Sequence, residues 1–151
     1  MSAFLDPIDV RLVGPDRWMT LTPVRYNSDV AKRRITVPAE FVTDFASVPR
    51  APLAYLIAAG RARGPALIHD HLYQAPGWDD RDLADAIFSE AMDLDQPELG
   101  IYREPGPITF AMWGAVRAFG WIPWQRRRQR GKLLNPIWTA TTWPWPEVQA
   151  V

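Results

Sequence analysis

The hydrophobic pattern of this chain changes period once, at Pro49, and that break limits its folds more than any other feature. Before it, β-branched and aromatic runs alternate with turn-like punctuation. Val10-Arg11-Leu12-Val13 is followed by Gly14-Pro15-Asp16, then Trp18 to Thr22, then, after the polar turn Asn27-Ser28-Asp29, the run Arg33 to Thr43. These runs predict a small antiparallel sheet whose strand content ends near Asp44, with Pro38 marking an edge strand or a bulge. After Pro49 the spacing is helical over Pro52 to Ala59, Ala66 to Tyr73, Arg81 to Leu94 and Pro107 to Trp121, each opened or closed by Pro, Gly or an acid suited to an N-cap. The fold class that follows is α+β: an N-terminal antiparallel sheet, a helical hairpin with further helices, and an irregular tail rich in Pro and Trp.

The length of 151 residues suits a single domain, mainly β over 1–48, mainly α over 49–124, and a basic run with an extended tail over 125–151. Apolar residues at 48% and charged residues at 23% are proportions of a folded chain, and the absence of cysteine excludes a disulfide scaffold or a thiolate metal site. Seventeen Lys and Arg balance seventeen Asp and Glu, which argues against broad electrostatic capture of nucleic acid. The N-terminus meets Asp6 and Pro7 before any useful apolar stretch, unlike a secretory signal. The longest apolar run, Ile108 to Trp124, falls short of the roughly 20 residues of a spanning helix and carries Arg117.

Chemistry concentrates in Ile68-His69-Asp70-His71-Leu72-Tyr73 and, beyond a turn centred near Gly77, in Arg81-Asp82-Leu83-Ala84-Asp85. If the two pieces form an antiparallel helical hairpin, His69 and Asp85 lie eight positions either side of that turn and face each other at one height. Tyr73, four residues from His69, shares its face, and Asp70 points about 100° away. A carboxylate that fixes a histidine tautomer leaves the other ring nitrogen to deprotonate water. The same pair also reads as a satisfied polar group in a core. His71 cannot share a metal with His69, since residues two apart on a helix diverge by about 200°. Oxygen ligands in Asp44, Asp70, Asp82 and Asp85 suit calcium or magnesium better than zinc. In the joining segment Phe41 to Arg50, Asp44 and Ser47 suit turn and cap bonding, and alternatively Asp44 is delivered beside Asp70.

The ordered motifs Thr43-Asp44-Phe45-Ala46-Ser47-Val48-Pro49, Leu67 to Tyr73, and Arg81-Asp82-Leu83-Ala84-Asp85 with Phe88 resemble the DUF1353 family of small proteins, common in tailed bacteriophages and prophages. The resemblance covers about residues 35 to 120 and implies a phage or prophage origin but no reaction; taken with the tryptophans of the irregular tail, it leads to the expectation of synthesis in the host cytoplasm and then a place in the virion. A second resemblance is to the phospholipases A2, whose active-site helix reads His-Asp-x-x-Tyr. It implies His69 as general base, Asp70 as calcium ligand, Tyr73 as partner of the dyad and Asp85 as the orienting carboxylate. The chain departs from that pattern in having no cysteine and no Gly-rich calcium loop, only Thr43 to Pro49 in its place.

The helical run from Ile108 to Trp121 is apolar nearly all round, which places it in the core by default. Trp121 and Trp124, followed by Arg126, Arg127 and Arg128, form a pattern suited to a membrane surface, to nucleic acid, or to a solvated helix end. Trp138, Trp143 and Trp145 in the Pro-rich tail suit docking on another subunit or self-association, because exposed tryptophan is costly unless covered. Two functions follow as expectations: an accessory virion protein near the phage tail that docks on other phage structural subunits, and a metal-assisted esterase or lipase-type hydrolase, with calcium as the implied cation, acting on the host envelope during entry or lysis.

Overall fold

The computed structural model describes residues 1–15, 17–45, 63–75, 78–122 and 124–125. The helix expected over Pro52 to Ala59, together with Ser47, the basic run with Arg126, Arg127 and Arg128, and the tail with Trp138, Trp143 and Trp145, lies outside the described residues.

Among the described residues, six strands form two three-stranded antiparallel sheets rather than one. They are β1 (Ala3–Phe4), β2 (Val10–Gly14), β3 (Arg17–Thr20), β4 (Val24–Ser28), β5 (Arg33–Val37) and β6 (Val42–Thr43). One sheet has the order β1-β4-β5, the other β2-β3-β6. The segment Val24–Ser28 is a central strand and not the approach to a polar turn. Val24, Tyr26 and Ser28 point inward while Arg25 points out to a bidentate pair with Asp6, with N–O distances of 2.6 and 2.7 Å. The turn itself falls after Ser28, and Lys32 closes it at φ 54° before β5 pairs back with Tyr26 opposite Ile35. Pro38 stands just past the end of β5, where its missing N–H breaks no ladder.

Among the described residues three α-helices follow: α1 (Arg63–Gln74), α2 (Arg81–Met92) and α3 (Gly106–Phe119). Helix α1 begins three residues earlier than the apolar pattern alone indicates, because Pro65 sits in its first turn, where a missing N–H costs nothing. Every residue from Gly64 to Gln74 is buried, with the helix against β5 and β6 on one side and α2 on the other. Its start runs close to the N-terminal segment: a Cβ on Gly64 would meet Phe4 and Ile8 at 3.0 Å. Helix α2 starts at an extended Asp80 whose carboxylate accepts from Leu83 N–H at 2.8 Å. Leu83, Ile87, Ala91 and Leu94 recur at helical spacing, and of these Ile87 and Ala91 are fully buried while Leu83 and Leu94 pack at the edges of the same stripe.

Helix α3 is not a central core helix. Thr109, Met112 and Val116 face α2, while Phe110 is 72% and Phe119 58% exposed. Its residues are apolar on both faces, but among the described elements its main neighbour is α2. No helix among the described residues is long and apolar enough to cross a membrane.

Candidate active site at the helical hairpin

The hairpin of α1 and α2 brings His69 and Asp85 together. His69 Nε2 lies 3.0 Å from Asp85 Oδ1, and the Tyr73 hydroxyl donates to the same oxygen at 2.6 Å. All three side chains are buried. The His69 ring sits between Tyr73, at 4.0 Å between centroids, and Phe88, at 4.9 Å. Because Nε2 faces a carboxylate, the proton belongs on that nitrogen, which leaves Nδ1 as the acceptor, and Nδ1 has no hydrogen-bond partner among the described residues. Burial, and then the hydrogen bond and charge of Asp85, push the Tyr73 phenol well above its ordinary range, so Tyr73 acts there as a donor.

Asp85 Oδ2 faces Arg117 of α3 at 3.6 Å. The same guanidinium pairs closely with Asp82 on the exposed side of α2, and its pKa is raised, first by the hydrogen bond to Asp82. The end of α3 covers the trio. Trp124 stands edge-on to Tyr73 at 4.8 Å, and a Cβ on Gly120 would meet the Tyr73 hydroxyl at 2.7 Å. Trp124 is thus half-buried against the site, whereas Trp121 is 55% exposed.

Asp70 takes the direction expected of it, away from His69. It is fully buried, and the Thr43 hydroxyl donates a short hydrogen bond to its Oδ2. Thr43 also accepts from Phe45 N–H at 3.0 Å, across a loop in which Phe45 adopts φ 51°. A bulky residue in this left-handed region is uncommon, and the buried packing of Phe45 near Trp18 holds it there. Asp44, between them, is exposed. Among the described residues no three His, Cys, Asp or Glu side chains come together as a metal site. His71 is buried beside Phe41, and burial lowers its pKa to about 3.

Two groups were not singled out by sequence reasoning. Arg117 carries a signal in retrospect, as the lone charge of an apolar helix. Glu90 does not, because it lies off the apolar stripe of α2. It nevertheless accepts from Ser2 Oγ, Tyr26 hydroxyl, Ser28 Oγ and Val30 N–H at 2.7 to 2.9 Å, tying the end of the first sheet that carries the β4–β5 turn to α2.

No curated protein and no solved structure matches the chain. A family model does, over residues 18–99, more than half the length, and this span holds Thr43, Asp44, His69, Asp70, Tyr73 and Asp85 but not α3. The chain, with its buried His69–Asp85 pair inside the matched region, therefore belongs to the family described as protein of unknown function (DUF1353).

Proposed function

We propose that this chain is a small phage-borne hydrolase of esters, with phospholipase A2-like chemistry, in which His69 is the general base. The observation that carries the reading is the shared oxygen of Asp85: His69 Nε2 and the Tyr73 hydroxyl both bond Oδ1, and His69 Nδ1 is left without a partner. A buried acceptor without a bond costs free energy unless a water or substrate takes it up. In the mechanism, Nδ1 takes a proton from water, the resulting hydroxide attacks the ester carbonyl, and the imidazolium returns the proton to the leaving alkoxide. Asp85 stabilises the imidazolium, and Tyr73 keeps the carboxylate in register. His69 is withdrawn from solvent, so turnover needs an opening. The end of α3, with Gly120 and Trp124 over Tyr73, is the element whose displacement provides it. No step is routed through a cation. Calcium held by Asp70 and Asp44 is a separate proposal.

A second reading rests on a different observation, the exposed aromatic side chains Phe110, Phe119 and Trp121 on and just after α3. Together with the basic run that follows in sequence, they suit docking on another phage subunit, and the protein is then an accessory virion component near the tail. The readings are compatible, since a virion component can carry an enzyme.

The test is hydrolysis of a short-chain phosphatidylcholine and of a p-nitrophenyl ester by the full chain, with calcium or with chelator. Expected is a loss of roughly 100-fold or more in His69→Gln, the usual size of a general-base contribution. Asp70→Asn loses the calcium response if the cation proposal holds. Unchanged turnover in His69→Gln, or none in the native chain under every condition, overturns the hydrolase.

A further inference from the structure

Among the fourteen residues of α3, Arg117 alone is charged, and its guanidinium serves two carboxylates three residues apart on α2. Asp82, whose side chain is 70% exposed, holds it in a close pair, while Oδ2 of the fully buried Asp85 waits at 3.6 Å, just beyond hydrogen-bond range. Among the described residues Oδ2 accepts no hydrogen bond, although Oδ1 of the same group accepts two.

We propose that Arg117 is a positioning residue that sets how strongly Asp85 holds His69, and that Asp82 governs it by keeping the guanidinium off Oδ2. A carboxylate has a fixed charge to share between its oxygens. A full bond from Arg117 to Oδ2 draws that charge away from Oδ1 and weakens the His69 N–H bond there. The low local dielectric makes the exchange felt. Among the described residues, the charged and titratable groups around the Arg117–Asp85 contact are His69 and Tyr73 on α1 and Arg81 and Asp82 on α2. Arg81 also donates to the Arg117 carbonyl at 3.4 Å, so the two arginines brace the same contact from either helix. Because Asp82 is exposed, a ligand or partner cation that captured it would release Arg117 onto Asp85, which makes the surface of α2 a control point for the buried pair.

This inference draws its catalytic meaning from the hydrolase reading, but its test does not need turnover. The full chain, labelled with nitrogen-15 at histidine, is followed by NMR at one neutral pH through the His69 Nε2 proton, assigned by its loss in His69→Gln. In Asp82→Asn, Arg117 moves onto Asp85, and the proton shifts upfield as its bond weakens. In Arg117→Met the guanidinium leaves both carboxylates, and the proton shifts downfield. Arg117→Lys restores the charge and brings the resonance back toward that of the native chain. A structural role for Arg117 would move the two variants in one direction, or neither, and that result overturns the proposal. Where the native chain turns over ester, Asp82→Asn lowers kcat with KM unchanged. Absence of all turnover defeats the hydrolase and leaves the opposite shifts to decide this one.

Discussion

Tyr73 and Asp85 are joined by a 2.6 Å hydrogen bond that crosses from α1 to α2 with both side chains out of solvent. The bond ends on the same oxygen that meets His69, so the phenol bears on the dyad as much as on the packing of the hairpin. Tyr73→Phe keeps the ring between His69 and Trp124 but removes the donor. Urea unfolding should show a loss of about 1.5–3 kcal/mol, the size expected of a hydrogen bond to a charged group. A variant as stable as the native chain would mean that water replaces the phenol.

Gly120 lies where the end of α3 meets the same hydroxyl. A Cβ there would strike the Val116 carbonyl and approach the Tyr73 oxygen to 2.7 Å, so Gly120→Ala must displace one of them. Overpacking of this kind typically costs about 1–3 kcal/mol. Thermal melts of Gly120→Ala, alone and with Tyr73→Phe, should show costs that do not add, because both act on one contact. Strict additivity would separate the glycine from the tyrosine.

Burial by itself would raise the Glu90 carboxyl, but hydrogen bonds from Ser2, Ser28, Tyr26 and the Val30 N–H outweigh it and hold its pKa below the ordinary 4.5. A folded-state pKa below the unfolded one gives stability that is complete above about 4.5 and is lost as pH falls through the lowered value. Glu90→Gln should therefore cost about 1–2 kcal/mol at neutral pH and flatten the stability curve only below pH 4.5. Urea midpoints between pH 3 and pH 7 check both. An unchanged acid limb would remove Glu90 from the account.

His71 acts in a higher window. Its pKa falls from 6.5 to about 3 through burial, so between those values the unfolded chain binds a proton that the folded chain refuses. Stability due to His71 is complete above pH 6.5 and declines as pH is lowered toward 3. The native chain should begin to lose stability already between pH 6 and 5, before Glu90 contributes, and His71→Leu should hold level there. Equal slopes in the two chains over that interval would mean that His71 is protonated in the fold.

The helical half was largely legible because its signals are local. An acid at 79 or 80 to cap α2, of which the structure uses Asp80, the Leu83, Ile87, Ala91 and Leu94 spacing and the Gly and Pro at the ends of α3 each act within a turn or two, and α2 and α3 appear where those signals place them. The facing of His69 and Asp85 was legible for the same reason, since a short hairpin converts equal sequence distance from its turn into equal height. Strand β4 was missed although its alternation of Val24, Arg25 and Tyr26 is present in the sequence, because the polar Asn27 and Ser28 read as a turn until β1 and β5 arrive to pair with them.

The amino-acid sequence by itself determined the class of the fold, the hairpin and the residues that meet across it, because periodicity, caps and turns are properties of neighbouring residues. Only the tertiary structure decided that the strands divide into two interleaved sheets, that Glu90 ties the N-terminal strand to α2, and that Arg117 stands between Asp82 and Asp85. Those contacts join residues dozens of positions apart, and their strength depends on burial and on the competing partners of each charge, neither of which exists until the chain has folded.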